Sequence, residues 1–155
     1  MAVHKIDGVD GVVNYPKKFV TLWAQGTITK GDCVGIGTVV TKGAGLHAVV
    51  TDATTALLDG SIRAIGVAAE AATDGQPVRI QVAGYNSDAT SGAAAIAVNL
   101  EVQYDIASAA GKAGCLMTAA ATDVTHKPFG ITVTAYSGAE QSDGAIFIYD
   151  HGYYG

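Results

Sequence analysis

Apolar and polar residues change places along this chain in short runs rather than at helical spacing. Phe19, Thr21 and Trp23 alternate with Val20 and Leu22 before Gln25-Gly26, the pattern of a strand that ends in a turn. Thr29-Lys30-Gly31-Asp32 makes a second turn into a strand over Cys33-Val34-Gly35-Ile36, and Ala48-Val49-Val50-Thr51 supplies another. Arg63 to Ala69 is mostly apolar, whereas Val78, Ile80 and Val82 alternate with Arg79 and Gln81, the clearest half-buried strand in the sequence. Leu100 to Ile106, Cys115 to Thr118, Phe129 to Ala135 and Ala145 to Tyr149 follow, each bounded by Gly, Pro, Asp or Ser. Short strands at this spacing predict an all-β barrel or sandwich. The Ala-rich stretches 93–97 and 107–113 have helix propensity, but Gly92, Gly111 and Gly114 punctuate them and leave room for at most one short helix.

The pattern also repeats. Ala64-Ile65-Gly66-Val67-Ala68-Ala69-Glu70-Ala71, then Asp74-Gly75 and Val78-Arg79-Ile80, is echoed by Pro128-Phe129-Gly130-Ile131-Thr132-Val133-Thr134-Ala135, then Asp143-Gly144 and Ile146-Phe147-Ile148. Each copy reads as an apolar strand, an Asp-Gly turn and an alternating strand, which is a hairpin. Gly31-Asp32-Cys33-Val34 and Asn99-Leu100-Glu101-Val102 supply the matching earlier strands of the two halves. Two half-sheets of this kind close on one core, so the expectation is a small, pseudo-symmetric β-barrel.

A chain of 155 residues forms one domain with a real core. Residues 1–17 read as an extended arm, because Asp7-Gly8-Val9-Asp10-Gly11 is turn chemistry and Asn14-Tyr15-Pro16 blocks regular structure. The barrel then occupies 18–149 and a tail 150–155. Charged residues make up only 15% of the chain, so the surface is built largely of Thr, Ser, Ala and Gly, as suits a protein covered by neighbours. The net charge of −5, with no cationic cluster beyond Lys17-Lys18, argues against nucleic acid as a partner. No stretch is long and apolar enough for a membrane span, and the first residues lack a signal-peptide core, so synthesis in a cytoplasm is expected. Cys33 and Cys115 sit among small or apolar residues and read as core thiols, with a disulfide as the alternative.

Catalytic chemistry is weakly represented. Gly43-Ala44-Gly45-Leu46-His47-Ala48 has the spacing of a dinucleotide loop, but Val49-Val50-Thr51 follows it where a helix is needed. His4, His47, His126 and His151 are scattered and hold no metal-ligand spacing, and the aspartates at 7 and 10 lack the later carboxylates of a calcium loop. No Gly-x-Ser-x-Gly elbow is present, and Glu70 with Arg79 reads as an ion pair across the first hairpin rather than an acid-base couple. The expectation is a protein that is not an enzyme and uses no cofactor or metal.

Ala64-Ile65-Gly66-Val67-Ala68, then Asp74-Gly75-Gln76-Pro77-Val78-Arg79-Ile80-Gln81-Val82-Ala83-Gly84, then Pro128-Phe129-Gly130-Ile131, resembles the small capsid decoration, or cement, proteins of tailed bacteriophages. The resemblance implies a β-tulip or barrel-like domain, commonly a homotrimer, that sits on the outer capsid surface of a virion and binds the major capsid protein. It also implies terminal arms that reach across the lattice. On that reading His4, Lys5, Asp7, Asp10, Tyr15 and Lys17 of the arm and Tyr153 and Tyr154 of the tail contact the shell. Trp23 is a further interface anchor, with an ordinary core position as its alternative. A fibre or tail subunit and a carbohydrate-binding β-module are the rival functions.

Overall fold

The computed structural model describes residues 16–36, 48–50, 64–91, 95–104, 116–118, 128–137 and 144–150. These form eleven strands and no helix: β1 (Lys18–Ala24), β2 (Cys33–Ile36), β3 (Ala48–Val50), β4 (Ala64–Ala68), β5 (Pro77–Asn86), β6 (Ala95–Ile96), β7 (Glu101–Tyr104), β8 (Leu116–Thr118), β9 (Gly130–Thr132), β10 (Tyr136–Ser137) and β11 (Ile146–Ile148). Nine of them make one sheet in the order β1-β3-β2-β4-β5-β11-β9-β7-β8, and β6 pairs with β10 apart from it. Because β1 also pairs with β5, the strands β1, β3, β2, β4 and β5 close into a ring, with β1–β3 parallel and the other pairings antiparallel. The remaining strands carry the sheet onward as a curled half-barrel, so the all-β, barrel-like expectation holds. The Ala-rich stretch around 95 is extended where helix propensity pointed the other way. Ile96 is buried there, and packing that side chain overrides the weak preference of its alanine neighbours.

The alternation in β1 sorts its side chains as the sequence requires. Val20, Leu22 and Ala24 pack on the core of the ring, leaving Phe19, Thr21 and Trp23 on the outer face. Both predicted turns that follow or precede these strands are present. Gly26 and Gly75 take φ values of 83° and 78°, and the Asp74 carboxylate accepts the Gly26 N–H at 3.0 Å, fastening one turn to the other.

The duplication is built into the hydrogen bonding. Cys33 and Val34 face Val67 and Gly66 between β2 and β4, while Glu101 and Val102 face Ile131 and Gly130 between β7 and β9. The turn residues Gly31 (φ 91°) and Asn99 (φ 63°) donate their N–H groups to Ala68 O and Thr132 O, each at 2.9 Å. Ile28 bridges Ala72 in the first half and Ile96 pairs with Tyr136 in the second. Under this correspondence the order β3-β2-β4-β5-β11-β9-β7-β8 reads the same from both ends. One detail differs from the sequence match. Val67 faces Gln81 but Ile131 faces Phe147, so the partner strand has slipped by two residues, a shift that leaves the same face inward.

Two cores result. Ala24, Ile28, Val34, Ala68, Ala72, Val78 and Ile80 fill the ring, while Ile96, Val102, Phe129, Tyr136, Ile146 and Ile148 fill the second half. Cys33, Ala64 and Val67 project from β2 and β4 into that second core, so these two strands form a wall buried on both sides. A wall of that kind needs apolar residues without alternation, which is the run seen in Arg63 to Ala69.

β5 serves both halves by turning a corner. Up to Ala83 it pairs with β1, and from Gly84 to Asn86 it pairs with β11. Gly84 has a φ of 90°, and the buried amide of Gln81 spans the bend by donating to Ala83 O at 3.1 Å and Tyr85 O at 2.8 Å. The Asn86 amide donates back to Gln81 Oε1 at 3.0 Å, and its own oxygen accepts the N–H groups of Asp88 and Ala89, both at 2.8 Å.

A Cβ on Gly66 would lie 2.2 Å from Gln81 O and one on Gly130 2.7 Å from Phe147 O, both of them backbone atoms. Gly66→Ala therefore costs more stability than Gly130→Ala, about 3 against about 1 kcal/mol, in urea unfolding. Asp32 generates a pH effect. Burial pushes its carboxyl up to about 6 although Thr29 N–H donates to it at 2.7 Å. The stabilisation from holding that proton is complete below about pH 4 and is lost as pH rises to about 6. Solvent screening of this partly exposed group reduces the loss to the order of 1 kcal/mol. Asp32→Asn should accordingly melt about 2–4 °C above the parent at pH 7 and together with it at pH 4.

Candidate interaction surface

The corner of β5 is where the chain enters the sheet. Pro16 lies directly on Gly84, since a Cβ there would come 3.0 Å from Pro16 O, and the positive φ independently favours glycine. Lys17 holds its ammonium 6.0 Å from the centre of the Tyr85 ring, at the outer limit of a cation–π contact. Lys18 forms an ion pair with Asp150, and both side chains are about half exposed, so the pair adds at most about 1 kcal/mol. Ile148 faces Gly84 across β11–β5, and Tyr149 donates its N–H to Phe129 O at 2.9 Å. The Tyr149 hydroxyl donates to Glu101 Oε1 at 3.3 Å; burial first, and the Glu101 charge second, hold this phenol above its ordinary range. Residues 1–15 and 151–155 thus attach to roots that touch each other.

A second patch covers the outer face of β1 and β5. The Arg79 guanidinium stacks 3.9 Å from the centre of the Phe19 ring. Glu70 does reach Arg79 across the first hairpin, but it accepts the backbone N–H at 2.9 Å, so the guanidinium is left to the aromatic ring. Trp23 lies half-buried on this same outer face, opposite Pro77 on β5 and beside Ala48 on β3. The side chains that β1 sends to the core are Val20, Leu22 and Ala24, and a core position for Trp23 is not what the fold gives it.

Of the residues the sequence nominated, the structure describes Lys17 and Trp23, and it sets them near opposite ends of β1, about 20 Å apart along the strand. His4, Lys5, Asp7, Asp10, Tyr15, Tyr153 and Tyr154 lie outside the described residues, as do Cys115, His47, His126 and His151. Cys33 is a fully buried thiol. Among the described residues no group of three or more His, Cys, Asp or Glu side chains could hold a metal ion. Two features escaped sequence reasoning. The Lys18–Asp150 pair joins residues at opposite ends of the chain, which no local pattern records. Val98, Leu100 and Val133 are 54%, 38% and 38% exposed, although all three are residue types that ordinarily pack in a core.

No protein-family model matches the chain, and no curated protein matches it. Among solved structures it is similar to the head fiber gp8.5 N base of bacteriophage phi29, with a TM-score of 0.55 and 12% sequence identity over 86% of this chain and 94% of that one. At that identity the likeness is one of fold, and it spans both halves of the duplicated sheet.

Proposed function

We propose that this chain is a non-enzymatic structural protein of a tailed-phage head, carried on the outer surface of the virion and bound to its major capsid protein. The observation that supports this most is the fold shared with a protein named as the base of a head fibre. The touching roots of the two terminal segments are consistent with it, because contacts made from one patch of the barrel act on one neighbourhood of a shell. The arm of His4, Lys5, Asp7, Asp10 and Tyr15 is rooted by Lys17 and Lys18. Fully extended, it spans at most roughly 50 Å, enough to cross onto an adjoining shell subunit. It would bind by adding a strand to an exposed sheet edge, with backbone hydrogen bonds giving affinity. The stacked Phe19 and Arg79, with the half-buried Trp23 on the same face, offer an anchor for a second contact. In a homotrimer three such arms would act together and raise avidity by roughly 10² to 10⁴.

The fold likeness favours a second reading within the same class, the base of a head fibre rather than a cement layer, and stoichiometry separates them. On a density gradient of a native lysate, a copy number near one per shell subunit in the particle peak is the cement outcome. A few copies per particle is the fibre outcome, and absence from particles removes both and returns a free carbohydrate-binding module as the reading to test. Deleting residues 1–15, while keeping the Pro16 and Lys17 that pack on the β5 corner, should leave the melting temperature within about 2 °C and abolish particle binding. Retained binding would sink the arm's role.

A further inference from the structure

We infer that a second copy of this chain packs on the outer face of the second half, with Lys17 of one copy set against Glu101 of the next. The face is a row of side chains that crosses four strands. Tyr85 on β5 faces Phe147 on β11, Phe147 faces Ile131 on β9, and Ile131 faces Glu101 on β7. The residues that alternate with them, Ile146, Ile148 and Val102, point into the second core, so the row points away from it. Tyr85, Phe147 and Ile131 are half-buried and Glu101 is exposed. Tyr149, two residues beyond Phe147, joins the same face and donates to Glu101.

The duplication shows what a row of this construction is used for. In the first half the same register reads Phe19, Gln81, Val67 and Cys33. Gln81, Val67 and Cys33 are buried there, and Val67 and Cys33 belong to the core that the second half lays over them. One β-unit is thus covered by another of its kind. In the second unit Phe147 stands where the first has Gln81, so the centre of the row is more apolar on the side that meets solvent. An aromatic centre with charged residues at its margin is the anatomy of a protein–protein interface.

Charge decides the occupant and its orientation. The exposed Lys17 holds its ammonium 6.0 Å from the centre of the Tyr85 ring at one end of the row. Glu101 closes the other end, three strand spacings or about 14 Å away. An apolar centre between a cation and an anion is complementary to itself. When two such faces stack about 10 Å apart, a rotation axis along the strands sets Lys17 against Glu101 of the neighbouring copy and joins the two apolar centres. An axis along the row would instead oppose Lys17 to Lys17 and Glu101 to Glu101, which like-charge repulsion disfavours. The same polarity holds whether two or three copies surround the axis.

The inference does not rest on the virion reading, and the purified full-length protein tests it. Sedimentation equilibrium over about 1 to 100 μM should show the parent chain associating with itself. Lys17→Glu and Glu101→Lys change exposed side chains, so each should leave the melting temperature within about 2 °C. Each should weaken association at least about 10-fold, and the double variant should recover to within about 3-fold of the parent. A parent that stays monomeric at about 100 μM overturns the inference, as do single variants that associate as the parent does. A double variant no tighter than the singles overturns the pairing of Lys17 with Glu101.

Discussion

The fold depends on a strand that changes partners. β5 belongs to the ring as far as Ala83 and to the half-barrel from Gly84 onward, and a ladder cannot bend that sharply without setting some of its carbonyls out of line. Gln81 supplies the missing donors to Ala83 and Tyr85, and Asn86 then fixes the Gln81 amide and caps the backbone as it leaves the strand. Both amides are buried, so an unmade bond would carry a desolvation cost of about 1–3 kcal/mol per group. The network has no slack, and the angle between the halves is set by it. Everything that lies on the corner inherits that precision: the packing of Pro16 on Gly84, the position of Lys17 over Tyr85 and the pairing of β11.

The same shared construction explains why two copies of one pattern have diverged where they have. Cys33 and Val67 face the second core, since their half has a neighbour on that side. Glu101 and Ile131 occupy the corresponding sites on a wall whose outer side meets solvent, and Glu101 is exposed there and accepts from Tyr149. Gly66 and Gly130 have not diverged, because the partner strand's carbonyl occupies the space in both copies. Identity is retained where backbone meets backbone and lost where only one copy is covered.

Much of this was legible beforehand. Alternation located β1 and β5, the unbroken apolar run located the doubly covered β4, and the internal echo located matching strands in both halves. What local pattern could not supply was depth. Val98, Leu100 and Val133 look like core residues by type, and only the absence of a covering segment among the described residues exposes them. Trp23 looks equally suited to a core, yet its phase on β1 turns it outward with Phe19. The two-residue slip of β11 is likewise silent in the sequence, for a shift of two leaves every side chain on its own face. As for the candidate surface, Lys17 is readable in the sequence as the end of the arm, but the groups around it and Lys18, namely Gly84, Tyr85 and Asp150, are brought there by topology.

Lys18 stands opposite Ala83 at the point where the first unit closes, and it meets Asp150 where the second one does. A unit whose last residue returns to its first can be followed by another of its kind without moving either end, because the second begins where the first began. The strand order is therefore a circuit traversed twice from one node. That geometry leaves room for tandem repetition: a second unit can follow the first while Lys18 and Asp150 still meet at one corner of the sheet.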